Sequence, residues 1–146
     1  MLRIQIMKIS AKIDYACRAL LELAFHWPHQ APVQISIIAR KQKIPMKFLV
    51  HILIELKQLG YVESIRGKLG GYILAKAPGE IKFIDVVKGL GGLGFSSTHG
   101  QRKTGQVMDL IWQDINDILY KAMDKINFEI ICHRERSRGQ IAMYEI

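Results

Sequence analysis

Apolar and polar positions along the chain predict five helical segments and one β-ribbon. In the first segment, Ser10 is expected to cap the helix, and Asp14 lies in the first turn, where the helix dipole favours an acid. The segment is expected to end near Trp27–Pro28, because the residue before a proline disfavours helical geometry. Its apolar face consists of Ile13, Ala16, Cys17, Leu20, Leu21 and Ala24.

Two more helices follow, separated only by a tight turn at Lys43–Ile44. In the first, Ile35, Ile38 and Ala39 face inward, and the outer side carries Arg40, Lys41 and Lys43. The second begins at Pro45, which suits a first helical turn, and ends at Gly60, which suits a left-handed C-cap. Its apolar face consists of Phe48, Leu49, Ile52, Leu53, Leu56 and Leu59. Helices joined so closely are typical of a helix-turn-helix, whose second helix lies in the major groove.

Two short runs rich in aromatic and branched side chains, residues 61–65 and 72–75, predict a two-stranded ribbon. The loop between them is too glycine-rich to continue either strand, so the stretch is typical of a winged helix, a domain that binds DNA. In this loop Arg66 is expected to enter a narrow minor groove or to bind a phosphate. Lys68 is expected to add a phosphate contact, and Gly67 lets the backbone come close. A nucleotide-binding loop is the alternative, but the Lys-Ser/Thr pair and following helix of a P-loop are missing.

The helix that begins at Pro45 carries the candidate base contacts on the face opposite its apolar residues. Lys47 and His51 can donate hydrogen bonds, whereas Met46 and Val50 offer only apolar contact, for instance to a thymine methyl group. Partial burial is the alternative interpretation of Val50. With the wing and the outer side of the preceding helix, the predicted DNA-binding residues are Met46, Lys47, Val50, His51, Arg66, Gly67, Lys68, Arg40 and Lys41.

The distribution of charge supports a polyanionic partner. The 146 residues carry a net charge of +8, and 49% of them are apolar, which is typical of one globular domain with a proper core. Residues 1–90 hold 14 Lys and Arg against 6 Asp and Glu, whereas residues 91–146 hold 7 against 7. Clustered positive charge favours polyanions through counterion release. A basic surface that serves only solubility is the alternative.

Other classes of protein find little support in the sequence. No apolar run approaches the roughly 20 residues of a membrane span, and the N-terminus lacks a signal-peptide layout, so a cytoplasmic protein without a membrane partner is expected. Cys17 and Cys132 lie in different segments without metal-ligand spacing. Each is expected to be a buried small hydrophobe, with a regulatory thiol as the alternative. No nucleophile–base or acid pair has a usable spacing, so no enzyme is expected.

The C-terminal part predicts a dimerisation helix. Residues 80–90 fit a short helix, residues 89–105 a flexible glycine-rich loop, and residues 106–127 a long amphipathic helix. The apolar stripe of the long helix is broader than one small chain covers, so a homodimer is expected, with burial on the helix's own domain as the alternative. The predicted interface residues are Met108, Ile111, Ile115, Ile118, Leu119 and Ala122. Residues 132–140 are expected to form a charged loop and residues 141–146 a short closing strand.

An ordered set of motifs resembles one family of bacterial regulators. The motifs are Met7-Lys-Ile-Ser, Tyr15-Ala, Arg18-Ala-Leu-Leu, Ile38-Ala39, Phe48-Leu49, Ile52-Leu53, Leu56, Leu59-Gly60-Tyr61-Val62, Arg66-Gly and Gly70-Gly71-Tyr72. Together they resemble the Rrf2 family of transcription regulators over residues 7–90. The resemblance implies a mainly α fold with a small β-wing: a winged helix-turn-helix DNA-binding domain over 7–90, a loop over 91–105, and a long dimerisation helix with a C-terminal segment over 106–146. It also implies a homodimer that binds a palindromic operator in double-stranded DNA. Our leading hypothesis is a repressor whose binding to a promoter excludes polymerase.

The sequence departs from this family in the loop and on the DNA-binding surface. Many relatives carry an iron–sulfur cluster on three cysteines in the loop before the dimerisation helix, but here residues 89–105 contain no cysteine, and His99 is the one candidate ligand. A cluster of the usual kind lacks ligands, so no cluster and no other cofactor is expected. Val50 replaces an acidic residue that often reads the major groove, and Lys68-Leu69 replaces a common Pro-Gly, so operator preference should differ. The alternative is a regulator that acts mainly through a protein partner or a small-molecule effector bound near the loop, with DNA binding secondary.

Overall fold

The computed structural model describes residues 9–29, 31–93 and 105–144, with side chains described up to residue 140. The described residues form the helices α1 (Ala11–Ala24), α2 (Ile35–Gln42), α3 (Met46–Gln58), α4 (Phe83–Gly89), α5 (Val107–Asp124) and α6 (Phe128–Tyr144), and the strands β1 (Val62–Ile65) and β2 (Gly71–Leu74). A 3₁₀ turn at Pro78–Glu80 precedes α4. The predicted mainly α fold with a small β-wing is therefore confirmed. Within the described ranges, no helix combines the length and the apolarity that crossing a bilayer requires.

The first helix begins as predicted. Ser10 Oγ accepts a hydrogen bond from the backbone N–H of Ile13 at 3.3 Å, and Asp14 lies in the first turn. The helix ends at Ala24, slightly before the predicted end, and residues 25–29 form turns. Its buried apolar face consists of Ile13, Ala16, Ala19, Leu20, Leu23 and Ala24.

Two local signals delimit the helix-turn-helix as predicted. Lys43 makes the tight turn between α2 and α3 in left-handed geometry, with φ at 54°. At the other end of α3, Gly60 has φ at 84°, and its N–H donates to the Lys57 carbonyl at 3.0 Å. The next N–H, that of Tyr61, donates to the Leu56 carbonyl at 3.0 Å. These two hydrogen bonds form a Schellman motif, so the predicted glycine C-cap is correct.

The buried stripe of α3 is narrower than predicted. It consists of Leu49, Ile52, Leu53 and Leu56, which join the core shared with α1 and α2. Phe48, by contrast, is 49% exposed, and Leu59 is exposed as well. Consecutive helical residues are about 100° apart, so Phe48 lies at the edge of a stripe centred on its neighbour Leu49. The prediction that Phe48 and Leu59 face the core is therefore wrong.

The wing is attached to the helix-turn-helix at two places. β1 and β2 pair antiparallel, with Val62 opposite Leu74, and both of these side chains are buried in the core. A β-bridge also joins Val33, just before α2, to Tyr72 in β2. In this bridge each N–H donates to the other residue's carbonyl at 2.9 Å. The ribbon is therefore fixed to the segment that enters the helix-turn-helix.

The short helix predicted within residues 80–90 is confirmed as α4. It buries Ile84, Val86 and Val87. Most of the predicted loop after it, including His99, belongs to residues 94–104, which lie outside the described residues.

The charged loop and the closing strand predicted for residues 132–140 and 141–146 are wrong up to Tyr144. The backbone there continues as α6, which follows α5 after a short turn. Asn127 begins this helix, because its Oδ1 accepts a hydrogen bond from the Ile130 N–H at 2.9 Å. The cap satisfies a backbone donor that a loop would leave to water.

The charged residues of α6 favour a helix rather than a loop. Arginine and glutamate are good helix formers, and Arg138 forms an ion pair with Glu135 one turn away at 3.2 Å. Phe128 and Cys132, four residues apart, bury one face of the helix in the core. The cap and this narrow buried face anchor the first turns of the helix to the core.

Candidate nucleic-acid interface

One side of α3 is open to solvent along its whole length. This open face consists of Met46, Lys47, Val50, His51 and Ile54, and all five are exposed. Residues three and four apart share a helix face, so the hydrogen-bond donors and the apolar side chains lie beside one another. Val50 is 40% exposed and is available for contact. The structure therefore brings the four predicted α3 contact residues together on one surface.

An aromatic pair extends the open face toward α1. The Phe48 ring stacks on Tyr15 of α1, with centroids 6.5 Å apart and an interplanar angle of 28°. Lys47 Nζ lies 5.1 Å from the Phe48 ring centroid, within the range of a cation–π contact. The pair borders a cleft of about 440 Å³ between α1 and α3, lined by Ala11, Lys12, Tyr15, Phe48, His51, Ile52 and Glu55. Sequence periodicity missed this pair, because the partner that holds Phe48 at the surface belongs to another helix.

The basic outer side of α2 contains one residue that is already paired. Lys41 Nζ lies 3.5 Å from Glu22 Oε1, a carboxylate of α1 that is only 4% exposed. Gln42 Nε2 donates to the other carboxylate oxygen at 2.9 Å, and His26 Nε2 lies 3.6 Å from Oε1. Arg40 is exposed on the same helix. The Glu22 cluster therefore fixes the end of α2 against α1 and sets the position at which α3 begins.

Glu22 was missed in the sequence, although a signal was present. It interrupts the apolar run Leu20-Leu21-Glu22-Leu23-Ala24, and an acid inside such a run indicates a buried, paired carboxylate. Its partners on α2 could not be predicted, because they depend on how the two helices pack.

The wing loop presents two cations on a constrained backbone. Arg66, Gly67 and Lys68 are all exposed. The Gly70 N–H donates to the Gly67 carbonyl at 3.0 Å and closes a tight turn. A Cβ on Gly70 would overlap the Ile65 carbonyl oxygen, so only glycine allows this close approach of the backbone.

The wing and α3 are joined directly. Lys57 Nζ, in the last turn of α3, donates a hydrogen bond to Ser64 Oγ of β1 at 2.7 Å. Lys57 is therefore a structural link between the helix and the wing. Together with the Val33 bridge, it connects both strands of the wing to the helix-turn-helix.

The order of elements and the matched residues identify the family. The sequence profile of the Rrf2 family, described as an iron-dependent transcriptional regulator, matches residues 9–134, which is most of the chain. The chain belongs to the Rrf2 family. A Rrf2-like helix-turn-helix transcriptional regulator of Rhodobacter capsulatus is 42% identical over 86 residues, which cover 58% of this chain and 57% of that protein. The chain thus spans little more than half the length of that relative.

Further Rrf2 relatives extend the similarity beyond the wing. The transcriptional regulator IscR of Photorhabdus laumondii is 27% identical over 135 residues, covering 88% of this chain and 81% of IscR. Among solved structures, IscR of T. potens superimposes with a TM-score of 0.75 at 28% identity and covers 88% of both chains. CymR of B. subtilis, described as a global cysteine regulator, gives a TM-score of 0.75 at 26% identity and covers 88% of this chain and 98% of CymR. The predicted winged helix-turn-helix fold is confirmed by these similarities.

The donor set of this Rrf2 protein does not fit an iron–sulfur cluster. The whole sequence contains two cysteines, Cys17 in α1 and Cys132 in α6, whereas the usual clusters are held by four thiolates. Burial, with a smaller contribution from Asp14, raises the pKa of Cys17 to about 12. Burial also raises the pKa of Cys132. In the part of the chain that the structure describes, no group of three or more His, Cys, Asp or Glu side chains is arranged to hold a metal ion.

The α5 helix of this Rrf2 chain lies largely outside its own core. Met123 near its end is buried, whereas Ile118 is 68% exposed. The remaining residues of the predicted interface are exposed or, for Leu119, half-buried: Met108, Ile111, Ile115, Leu119 and Ala122. The described part of the protomer therefore leaves the apolar side of α5 uncovered, which argues against burial on its own domain.

Proposed function

We propose that this Rrf2 protein is a homodimeric, cluster-free repressor that binds a palindromic operator in double-stranded DNA. It acts in the cytoplasm and catalyses no reaction. The observations that carry the proposal are the exposed face of α3 and the exposed basic wing loop, which belong to one small domain in which Lys57 of α3 hydrogen-bonds to Ser64 of β1. An exposed helix face and a basic loop on one domain suit a duplex, whose grooves and phosphates alternate along its surface.

In this proposal the open face of α3 reads base edges in the major groove. Lys47 and His51 donate hydrogen bonds to base acceptors, and Met46 and Val50 contact thymine methyl groups. The exposed position of all four side chains supports these roles. Val50 has no hydrogen-bond acceptor for the amino groups of cytosine and adenine. We therefore expect a preference for thymine and guanine on the contacted strand.

The wing loop and α2 provide the contacts that do not depend on sequence. Arg66 binds a phosphate or enters the minor groove, Lys68 binds a phosphate, and Gly67 allows the backbone to approach. Arg40 adds another phosphate contact at the end of α2. Lys41 contributes less, because Glu22 already compensates part of its charge.

Dimerisation through α5 gives the operator its symmetry. The exposed apolar residues of this helix pack against a second copy, and a two-fold axis then brings both α3 helices onto one face of the duplex. Half-sites one helical turn, about 34–36 Å, apart match this arrangement.

Residues 7–90 form the DNA-binding domain, 91–105 a connecting loop, and 106–146 the dimerisation region. A dimer bound over a promoter represses by excluding polymerase.

The first test measures binding to duplexes that the full-length protein selects from a random library. Lys47→Ala and Arg66→Ala should each weaken binding by about 5- to 150-fold, equivalent to about 1–3 kcal/mol, because each removes a direct contact with DNA. Fluorescence anisotropy at several salt concentrations between about 50 and 200 mM gives affinity and salt dependence together.

The matched control is Lys125→Ala, which removes the same charge at the end of α5 and should change affinity by about twofold or less. The DNA-binding surface is misassigned if both variants bind the duplex as tightly as the parent protein and if the affinity of the parent does not depend on salt concentration. Genomic footprinting and in vitro transcription from a bound promoter then test repression.

The second test concerns the cluster. Protein purified without oxygen is expected to be colourless, because the chain has two cysteines, on different helices, whereas the usual cluster takes four. The measurement is the visible absorbance together with iron and sulfide content. A brown preparation with bound iron contradicts this part of the proposal and leaves the DNA-binding part standing.

A regulator that depends mainly on an effector is the second candidate. The cleft between α1 and α3 supports it, since about 440 Å³ is enough for a small molecule and Phe48 and His51 line it. A ligand there would lie beside the open face of α3. Co-purification of a small molecule or protein partner with a form that binds no duplex would favour this candidate.

A further inference from the structure

The wing loop carries one apolar side chain that the contacts described above do not use. Leu69 is 87% exposed, the highest value among the large apolar side chains of the described residues. A single exposed leucine is common on protein surfaces and carries no function by itself. Its position on the wing, however, combines two further features.

The first feature is that the loop presents Leu69 at a defined place. Its C-terminal neighbours Gly70 and Gly71 both approach other backbone segments so closely that a Cβ on either would overlap a carbonyl group. The Gly70 N–H also donates to the Gly67 carbonyl at 3.0 Å. The leucine therefore extends from a tight turn anchored to the rest of the domain.

The second feature is the charge around Leu69. Arg66 and Lys68 lie on the same loop and are exposed, and the loop contains no acidic residue. An apolar side chain that follows two cations on one loop suits a polyanion with apolar surfaces rather than an apolar protein surface, against which the cations would be desolvated. The minor groove of DNA has this chemistry: phosphates line its rims, sugars form its walls, and the apolar base faces become accessible where a base step is unstacked.

We propose that Leu69 is an apolar wedge that enters the minor groove and inserts between two base pairs at the edge of each half-site. Arg66 and Lys68 bind the phosphates on either side, and the partly unstacked step kinks the duplex. Pyrimidine–purine steps unstack most easily, so the wedge selects a TA or CA step at the wing position. This proposal rests on the proposed DNA-binding function and adds a residue that determines its sequence preference.

The experiment uses the full-length protein and a duplex that it selects from a random library. 2-Aminopurine replaces one adenine at the step that hydroxyl-radical footprinting assigns to the wing, and its fluorescence rises when the base unstacks. The parent protein is expected to raise this fluorescence several-fold on binding and to bend the duplex, as measured by energy transfer between its ends. The step itself is expected to be TA or CA.

Leu69→Ala should abolish the fluorescence rise and the bend, and should weaken binding about tenfold, because it removes the apolar group that fills the step. The slope of affinity against salt should not change, because leucine contacts no phosphate. Lys68→Ala is the matched control: it should lower that slope by about one and keep the fluorescence rise. Leu69→Met, which retains a long apolar side chain, should keep both the rise and the bend.

Three outcomes would overturn the wedge. If Leu69→Ala binds and unstacks the duplex like the parent, Leu69 has no role in DNA binding, although the proposed function stands. If Leu69→Ala lowers both the affinity and the slope of affinity against salt concentration, the loop contacts only phosphates. If the parent selects no duplex, both the wedge and the proposed function fail. Leu69 is almost fully exposed, so the substitution leaves folding intact, which circular dichroism checks.

Discussion

Replacing Ile118 by aspartate is expected to convert the protein into a monomer and to lower its affinity for a selected operator by about 100-fold or more. Ile118 is exposed in the protomer, so the substitution leaves the fold of the single chain intact. In the proposed dimer it lies within the apolar stripe of α5, where an unpaired carboxylate costs about 3–5 kcal/mol. The monomer retains only one half-site, so affinity for the palindrome falls sharply. Sedimentation equilibrium gives the oligomeric state, and anisotropy gives the affinity.

Gln113→Asp provides the control on the same helix. Gln113 is exposed and lies about 200° around the helix from both Ile111 and Ile115, so the new charge points away from the stripe. This variant should remain dimeric and bind DNA like the parent. If Ile118→Asp is as dimeric as Gln113→Asp, α5 is not the interface, and the symmetry of the proposed complex must arise elsewhere.

Replacing Phe128 by alanine is expected to destabilise the protein by about 3–5 kcal/mol, which is a large part of the 5–15 kcal/mol typical of a domain. Phe128 is the largest of the fully buried side chains in the described residues, and its ring centroid lies 6.4 Å from that of Phe83 at the start of α4. Its backbone N–H also donates to the Ile81 carbonyl at 3.2 Å. Removing the ring leaves a cavity where α6 joins the rest of the molecule.

Ile130→Ala is the matched comparison, because it shortens an exposed side chain two residues further along α6. It should change the free energy of unfolding by less than about 1 kcal/mol. Both variants are unfolded with urea at one protein concentration, since dimerisation makes apparent stability depend on concentration. Equal destabilisation by the two substitutions would mean that α6 is not anchored by Phe128.

Much of the secondary structure was predictable because its determinants are local. The cap at Ser10, the turn at Lys43 and the stop at Gly60 depend on side-chain and backbone geometry within a few residues. The same holds for the wing, where branched and aromatic runs flank a glycine-rich loop. The end of the chain was mispredicted because charged residues suit both a loop and a helix, and the choice depends on the buried ring of Phe128.

The candidate site was predictable only where exposure follows from periodicity. Lys47 and His51 lie opposite the buried stripe of α3, so their exposure could be expected from spacing alone. Met46 and Val50 lie beside the stripe, three residues from Leu49 and Leu53, and their exposure depends on tertiary packing. Phe48 lies at the edge of that stripe, and its exposure depends on how Tyr15 of α1 packs beside it. No spacing rule contains this information.

The sequence by itself determined the order of the elements from α1 to α5, the local signals that bound the helix-turn-helix, and the basic character of the N-terminal part. Only the tertiary structure decided that Lys41 is paired with the buried Glu22, that Leu69 extends from an anchored turn, and that the described residues leave Ile111, Ile115 and Ile118 of α5 exposed. The physical reason is the separation along the chain over which each effect acts. Capping and helical periodicity depend on residues close together in the chain, whereas ion pairs and burial depend on which distant elements pack together.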